Sequence, residues 1–534
     1  MRLLPAYALL SLALAQLALA QVDVDDANEL DGIDESATNP ALVPGDPDIA
    51  VGHDVIIQVV NRWMRMWARN ANGDWTAVGN ADLTSFFASV ERDATDPRVI
   101  FDPVSERFFV CAFGAIADDP EDGPYFYNIL LAISEPESEI VAAIEEDPPG
   151  DPFRSTLWTQ SPLQGFFPQD NTELPLHPVE GPCASGNAPG LGLIVDQPSL
   201  GSYSGGVLIN SILAGTFDAD NVFYLISRPN QQGAFEVAGP AFGSDFVLPA
   251  GTLGCAPTSF GFPKAAPIKG DADYDHALFV GVDWNAQTET CDTAGKFDSF
   301  ILYSFNDPFN DLSDRSLARV TVSCFASGDC VQTEGEGGMD PETEVPLDGY
   351  DTRVQSAQVT IEGESEYLWI MQSIGAAGTF TKPICRRYKI DLNGWPASGT
   401  ATPFVDSSGT VGPPSSPPPP SSHPEMGRFY PAGIVDPSTG TLGVVFARSS
   451  PDETTSVRAW GRLANGTIFT PVVAKQSPVG DTPDLGATCV RWGDYSDVEL
   501  DPDDGSFWST GMYMKEGGED PELWGTWIFR FTVD

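Results

Sequence analysis

Four arginines each precede a run of residues with β-strand character, and the last of them is followed closely by an acid and a tyrosine. Planar guanidinium groups bind carboxylates and sulfates through paired hydrogen bonds. The chain contains only 27 lysines and arginines, so four at similar positions favour a shared binding site. The candidate ligand-binding residues are therefore Arg98, Arg353, Arg428, Arg491, Asp494 and Tyr495.

A structural role for the same arginines stays open. Asp96, Asp351 and Asp494 lie within a few residues of them and could hold them in ion pairs between neighbouring structural units. Whether the arginines converge is a spatial question that their spacing leaves undecided.

Three aspartates at alternate positions, Asp271, Asp273 and Asp275, form a candidate metal site. Alternating carboxylates allow a loop to direct several oxygens at a hard cation such as calcium, the one cofactor that the sequence suggests. The segment departs from an EF-hand loop, because His276 stands where glycine is required and Val282 where the bidentate acid belongs. A solvated acidic turn is the alternative.

The usual catalytic motifs are missing. The four histidines form no HExxH pattern, and the chain has no Gly-x-Ser-x-Gly elbow and no phosphate-binding glycine loop. A pair of carboxylates for glycoside hydrolysis cannot be picked out of 76 acids, since its diagnostic separation is spatial. The catalytic residues are therefore left unassigned.

Tryptophan provides a route to carbohydrate binding, because indole rings stack on sugar rings when they are exposed. At strand positions the same side chains more often pack between sheets. The tryptophans concerned are Trp63, Trp67, Trp158, Trp492, Trp508, Trp524 and Trp527.

The charge balance excludes whole classes of partner. With 76 acidic and 27 basic residues the net charge is −49, and such a surface repels nucleic acid phosphates and anionic membranes. At 42% hydrophobic and 10% aromatic residues the chain can still fill a large core, which argues against disorder.

The first 20 residues have the pattern of a signal peptide: Arg2, an apolar run over 9–19, and Ala18-Leu19-Ala20 as a cleavage site. We expect a secreted or periplasmic protein. No later segment reaches about 18 uninterrupted apolar residues, so no membrane span is predicted. Residues 21–40 form a polar, acidic leader, and a single domain is expected over 41–534.

Eight cysteines in an exported chain are compatible with disulfides. Cys324 with Cys330 closes the shortest loop, and Cys255 with Cys291 is a second candidate pair. Cys111 and Cys385 lie in or beside β-like runs and are interpreted as buried thiols.

A hairpin pattern recurs along the chain: a β-like run, an Asp-Pro or similar turn, and a second β-like run. Its clearest copies span 99–110, 433–445 and 498–508. Asp-Pro supplies turn geometry and a side-chain cap, so the motif is architectural. A hairpin of this kind cannot bury both faces alone, which indicates an array of β-units around one core.

Seven such units can be placed, at irregular intervals of roughly 50 to 90 residues. Variable spacing argues against a solenoid and favours an all-β propeller of seven four-stranded blades, although six or eight stay open because 115–190 is poorly parsed. The Pro/Ser-rich stretch 410–424 is a loop insertion, and the C-terminal strand is expected to close the ring with N-terminal residues. The units are 46–61, 96–114, 192–212, 269–284, 352–373, 430–449 and 492–514.

The chain resembles a group of secreted bacterial β-propeller proteins of the sialidase-like (BNR) type, mostly of unassigned function. The similarity is carried by 46–54 with 58–61, by 96–99, and by 491–496 with 507–508. It resembles the sialidases themselves less well, because no run fits their Ser-x-Asp-x-Gly-x-x-Trp box. The resemblance implies the fold, but its motifs are only weakly specific for any activity.

Two functions follow from these observations. The first is an extracellular binding or interaction protein, for polysaccharide or glycoconjugate. The alternative is a glycan-active hydrolase or lyase with its site at the mouth of the propeller channel, where equivalent inner-strand positions would meet.

Overall fold

Nearly all of the regular secondary structure in the described residues is β-strand. The computed structural model describes residues 21–34, 45–90, 93–116, 126–146, 150–163, 194–214, 219–230, 233–242, 264–266, 275–283, 296–326, 347–348, 352–375, 383–398, 401–412, 427–450, 453–478, 490–493, 495–515 and 524–534. Two short helices, α1 (Leu83–Phe86) and α2 (Glu137–Ile144), and a 3₁₀ turn at Phe87–Val90 complete its regular structure.

The strands follow one another as antiparallel meanders. They are β1 (Val22–Asp34), β2 (Pro47–Val51), β3 (Val55–Val60), β4 (Trp63–Arg69), β5 (Trp75–Asp82), β6 (Asp93–Asp102), β7 (Arg107–Ile116), β8 (Phe126–Ser134), β9 (Trp158–Leu163), β10 (Ile194–Tyr203), β11 (Gly206–Ala214), β12 (Ala219–Ser227), β13 (Val237–Phe242), β14 (Lys264–Ala265), β15 (Ala277–Val282), β16 (Lys296–Asp307), β17 (Asp311–Ala326), β18 (Leu347–Asp348), β19 (Val354–Glu362), β20 (Ser365–Gly375), β21 (Pro383–Asp391), β22 (Phe404–Thr410), β23 (Gly427–Val435), β24 (Leu442–Ser450), β25 (Glu453–Arg462), β26 (Val472–Gln476), β27 (Val490–Arg491), β28 (Asp497–Leu500), β29 (Phe507–Met514) and β30 (Trp524–Val533).

All of these strands except β18 and β27, which pair with each other, form seven four-stranded sheets, which confirms the predicted seven-bladed propeller. Blades 1 to 6 are β2–β5, β6–β9, β10–β13, β14–β17, β19–β22 and β23–β26, and blade 7 is β28–β30 with β1. The first strand of each blade contacts the first strand of the next, from β2 through β28 and back to β2. The seven inner strands therefore surround one central channel.

The ring closes through the first and last strands. β1 pairs antiparallel with β30, from Val22 opposite Val533 to Asp34 opposite Gly525, and is the outermost strand of blade 7. Residues 22–34 belong to the segment interpreted as an acidic leader, so that segment contributes a strand to the propeller. Its acidic composition suits an edge strand, where charge discourages pairing with other chains.

The Asp-Pro hairpins join inner strands to second strands. Asp102, Asp436 and Asp501 each accept a backbone N–H from their own turn, at 2.8–3.1 Å. Asp102 also binds Arg228 of blade 3 through Nε at 2.9 Å. The motif thus caps turns and links blades, as an architectural role predicts.

The predicted hairpin units coincide with the first two strands of six blades. The unit at 269–284 differs, because the inner strand of blade 4 is Lys264–Ala265 and only β15 lies inside the predicted range. A two-residue strand carries no alternation that a pattern could detect. Among the described residues, no helix is long and apolar enough to cross a membrane.

Several sequence predictions fall outside the described residues. They include residues 1–20, residues 413–424 of the Pro/Ser-rich stretch between blades 5 and 6, and Cys255, Cys291 and Cys330 with the side chain of Cys324. Cys111 and Cys385 are buried within β7 and β21, and burial raises the pKa of Cys385.

Candidate ligand-binding site in the central channel

A cavity of about 680 Å³, including the part open to solvent, lies in the channel. All seven inner strands contribute to its wall. Its polar lining consists of Asp48, Arg98, Ser199, Gln355, Ser356, Gln358, Tyr495, Ser496, Asp497 and Glu499.

β-Bulges turn several of these side chains toward the cavity. The pairing of inner and second strands shifts between Thr95 and Arg98 in blade 2, and between Asp196 and Ser199 in blade 3. Blade 5 has a similar shift before Ser356. A bulge places an extra residue on one strand and redirects the side chains that follow it. The residue after each of these three bulges lines the cavity.

Proline marks three of these positions in the sequence. Pro47, Pro97 and Pro198 each directly precede a cavity residue, namely Asp48, Arg98 and Ser199. Proline lacks an N–H donor and is found in sheets at strand starts and bulges. A proline at the start of an inner strand or within it was therefore a usable signal for Asp48 and Ser199, which sequence reasoning missed.

Arg98 is the basic side chain of the cavity. It is 6% exposed, and its Nε donates to the Pro198 carbonyl oxygen at 3.0 Å. Its Nη1 lies 3.5 Å from a carboxylate oxygen of Asp48, and its guanidinium lies 3.5 Å from the ring centroid of Tyr495. Its Nη2 is buried without a hydrogen-bond partner. The Nη2 group of a rigidly held guanidinium is thus left without an acceptor.

Gln355 supplies a second unused donor across the ring. Its side chain is 7% exposed, lines the same cavity, and has an Nε2 atom without a hydrogen-bond partner. Buried N–H groups are nearly always satisfied in folded proteins. Two such groups in one cavity indicate a ligand that brings acceptors.

The cavity wall is held by hydrogen bonds between adjacent inner strands. The Val99 N–H donates to Asp48 at 2.8 Å and the Ile49 N–H to Asp497 at 3.2 Å. The Ala265 N–H donates to Ser199 in the same manner, at 2.8 Å. In each case a side chain on one blade accepts from the backbone of the next. The site is therefore rigid and already formed.

Asp497 has a perturbed acidity. Burial, followed by the negative charges of Asp48 and Glu499, raises its pKa well above the ordinary value of 3.8. Its acceptance of the Ile49 N–H opposes this and is outweighed. A carboxyl group of this kind can hold a proton under conditions in which ordinary carboxylates are ionised.

The three candidate arginines whose side chains are described do not share one position. Arg98 and Tyr495 meet in the cavity, whereas Arg353 and Arg428 do not line it. Arg98 follows the bulge of its inner strand, while Arg353 and Arg428 precede theirs. Arg353 is buried ahead of β19, and Arg428 donates to the Val411 carbonyl oxygen at 2.8 Å.

The last two candidates lie at the start of blade 7. The backbone of Arg491 belongs to β27, which pairs in parallel with β18, but its side chain is outside the described part. Asp494 is outside it as well. The predicted pairing of arginines with nearby acids is seen for Arg98, although with Asp48 of blade 1 rather than Asp96.

The candidate metal site falls mainly outside the description. Asp271 and Asp273 are not described, and Asp275 accepts a hydrogen bond from Ser204 at 3.3 Å. Within the described ranges, no three His, Cys, Asp or Glu side chains are placed to hold a metal ion. Calcium at 271–275 stays a prediction.

Most of the candidate tryptophans pack between strands. Trp63 and Trp527 are partly buried, and the other five are 4% exposed or less. Lys475 Nζ covers the Trp527 ring at 3.3 Å. The tryptophans therefore stabilise the blades and offer no shared face for stacking sugars.

Comparisons with known proteins add the following. No family model and no curated protein matches the chain. The polysaccharide lyase Uly1 is 12% identical with a TM-score of 0.41, over 96% of this chain and 99% of the lyase. A Trypanosoma rangeli sialidase in complex with sialic acid is 9% identical with a TM-score of 0.35, over 86% of this chain and 56% of the sialidase.

A third solved structure, an α-L-arabinanase of Penicillium chrysogenum complexed with arabinobiose, is 11% identical with a TM-score of 0.36. The match covers 82% of this chain and 93% of the arabinanase.

Proposed function

We propose that the protein is an exported carbohydrate-binding propeller whose ligand enters the central channel. The observation that carries the proposal is the pair of unpartnered donors, Arg98 Nη2 and Gln355 Nε2, in one cavity. They lie on the inner strands of blades 2 and 5.

A polyhydroxylated ligand matches the mixed chemistry of this wall. Sugar oxygens accept from Arg98 and Gln355, while sugar hydroxyls donate to carboxylates such as Glu499. Rigid walls favour binding, because little freedom is lost when the ligand enters.

The charge of the cavity favours a neutral sugar. Arg98 is the one cation among the described lining residues, and Asp48 already lies beside it. Glu499 adds a negative charge, which repels the anionic group of a uronate or a sulfate ester. The ligand proposed here is therefore a neutral glycan segment, in place of the anion suggested by four converging arginines.

Binding is tested by calorimetry of the purified protein against neutral and acidic oligosaccharides. Arg98→Met and Gln355→Leu each remove one unused donor, and we expect binding about tenfold weaker or more. Arg386→Met, on β21 and away from the cavity lining, is the matched control. If both cavity variants bind every glycan as the unaltered protein does, the proposal is wrong.

A glycan-active hydrolase is the second candidate, and the surroundings of Asp497 favour it. A carboxyl with a raised pKa beside other carboxylates is the arrangement of a general acid and its partner in glycoside hydrolysis. The same panel is assayed for product release. Release that Asp497→Asn abolishes supports the enzyme, and binding without release supports the binding protein.

A further inference from the structure

A second group of unsatisfied hydrogen-bond donors lies between blades 5 and 6, and it includes the side chain of Arg387. This arginine on β21 is 7% exposed, and its Nε and Nη1 atoms are inaccessible and lack hydrogen-bond partners. Burial, with a contribution from the charge of Arg462, lowers its pKa to about 10. The side chain is thus an enclosed cation with two unsatisfied N–H groups.

The facing blade presents a further unsatisfied donor. Trp460 on β25 is fully buried, and its Nε1 has no hydrogen-bond partner. It packs in one apolar cluster with Cys385, Trp369 and Met371 of blade 5. Because side chains two apart on a strand share a face, Arg387 lies on the face of Cys385, and Arg462 on the face of Trp460.

The two faces therefore bring donors and positive charge to one interface. Arg387 and Arg462 are both cations, and the indole of Trp460 can only donate. An enclosed charge without a counter-charge is strongly unfavourable. What such an interface lacks is an acceptor with negative charge.

The guanidinium packs closely against a glycine. Gly409 on β22 lies opposite Arg387 in the sheet, and a Cβ atom there would stand 3.1 Å from Arg387 Nη2, which is tighter than an ordinary contact. Gly409 is partly exposed, so this side of the guanidinium lies near the protein surface. Such close packing suits only a small ion.

We propose that the interface between blades 5 and 6 binds a small inorganic anion, held by the N–H groups of Arg387 and Trp460. The anion neutralises the enclosed guanidinium and ties the two blades together. The site is independent of the channel cavity, since none of these side chains lines it.

Chloride is the probe. The melting temperature of the full chain is measured against chloride concentration, with gluconate, which is too large for the site, keeping the ionic strength constant. We expect the melting temperature to rise with chloride concentration and then to level off, because a ligand that binds the folded state stabilises it. Bromide should give the same rise and an anomalous scattering peak beside Arg387 in crystals.

Two variants and a control separate the site from general salt effects. Arg387→Met should abolish the chloride response, and Trp460→Phe should weaken chloride binding about tenfold. Arg386→Met, the adjacent arginine of β21, should respond as the unaltered protein does. If Arg387→Met fails to fold, Trp460→Phe decides the test. An equal response of unaltered and variant chains, or no response at all, overturns the proposal.

Discussion

Asp48 and Asp497 lie on adjacent inner strands but have different surroundings. Asp48 has the Arg98 guanidinium at 3.5 Å. Asp497 is affected mainly by burial and by the negative charges of Asp48 and Glu499, which raise its pKa. The raised pKa allows Asp497 to hold a proton at a higher pH than an ordinary carboxyl group does.

The raised pKa of Asp497 makes stability depend on pH. A group whose pKa is higher in the folded state stabilises fully below its unfolded pKa, and this contribution is lost as pH rises through the folded value. Asp497→Asn removes the ionisation but keeps the shape. We expect the variant to become increasingly more stable than the unaltered protein as pH rises above 3.8.

Urea unfolding at a series of pH values measures this difference. Below pH 3.8 both forms are neutral in both states, so the two midpoints should run in parallel there and serve as the internal control. A difference that stays constant at every pH would show that Asp497 does not carry the shift.

The sequence led to Arg98 and Tyr495 but not to their neighbours. Arginine is informative in a chain with few cations, whereas Asp48 and Asp497 are two among 76 acids. Arg98, Arg353 and Arg428 do not form the expected ring, because Arg353 and Arg428 stand before a bulge and Arg98 after one. A shift of one residue reverses the face of a strand, and no spacing rule reveals a bulge.

At the scale of elements, helix α2 connects two blades through one side chain. Glu137, at the start of α2 in blade 2, is buried and accepts three backbone N–H groups from blade 1. The donors are His53 at 3.0 Å, and Asp54 and Val55 at 2.8 Å each. A single carboxylate thus fixes the hairpin between β2 and β3.

Glu137→Ala should strongly destabilise the propeller. Three backbone donors, of which that of Val55 is buried, lose their acceptor, and we expect a loss of about 3 kcal/mol in the free energy of unfolding. Urea denaturation measures it, and Glu139→Ala, at an exposed position of the same helix, is the control. Equal midpoints for the two variants would contradict this role for Glu137.

Hairpins were predictable from the sequence where apolar and polar residues alternate along both strands. The copies at Asp102, Asp436 and Asp501 combine alternation with a turn signal, and each became an inner hairpin. β14 has two residues and β1 is largely acidic, so neither carries an apolar period. Their positions are determined by the partner strand, which is tertiary information.

At the scale of the whole molecule, the seam between blades 7 and 1 closes the ring. A buried polar network crosses it. Gln58 Nε2 of β3 donates to Thr510 at 2.7 Å and to Thr526 at 3.0 Å, and its Oε1 accepts the Ile33 N–H at 2.9 Å. Because Ile33 belongs to β1, the first strand takes part in the seam as well as in blade 7.

Deleting residues 21–34 should open this seam. The truncated chain loses β1, exposes the edge of β30, and leaves the Oε1 of Gln58 without its backbone donor. We expect a lower urea midpoint and proteolysis concentrated in 497–534, compared with a chain that begins at residue 21. A synthetic peptide of residues 21–34 should restore the midpoint by pairing with β30, whereas a scrambled peptide should not. An unchanged midpoint after truncation would show that β1 is dispensable. Restoration by the peptide would show that ring closure depends on this one strand pairing.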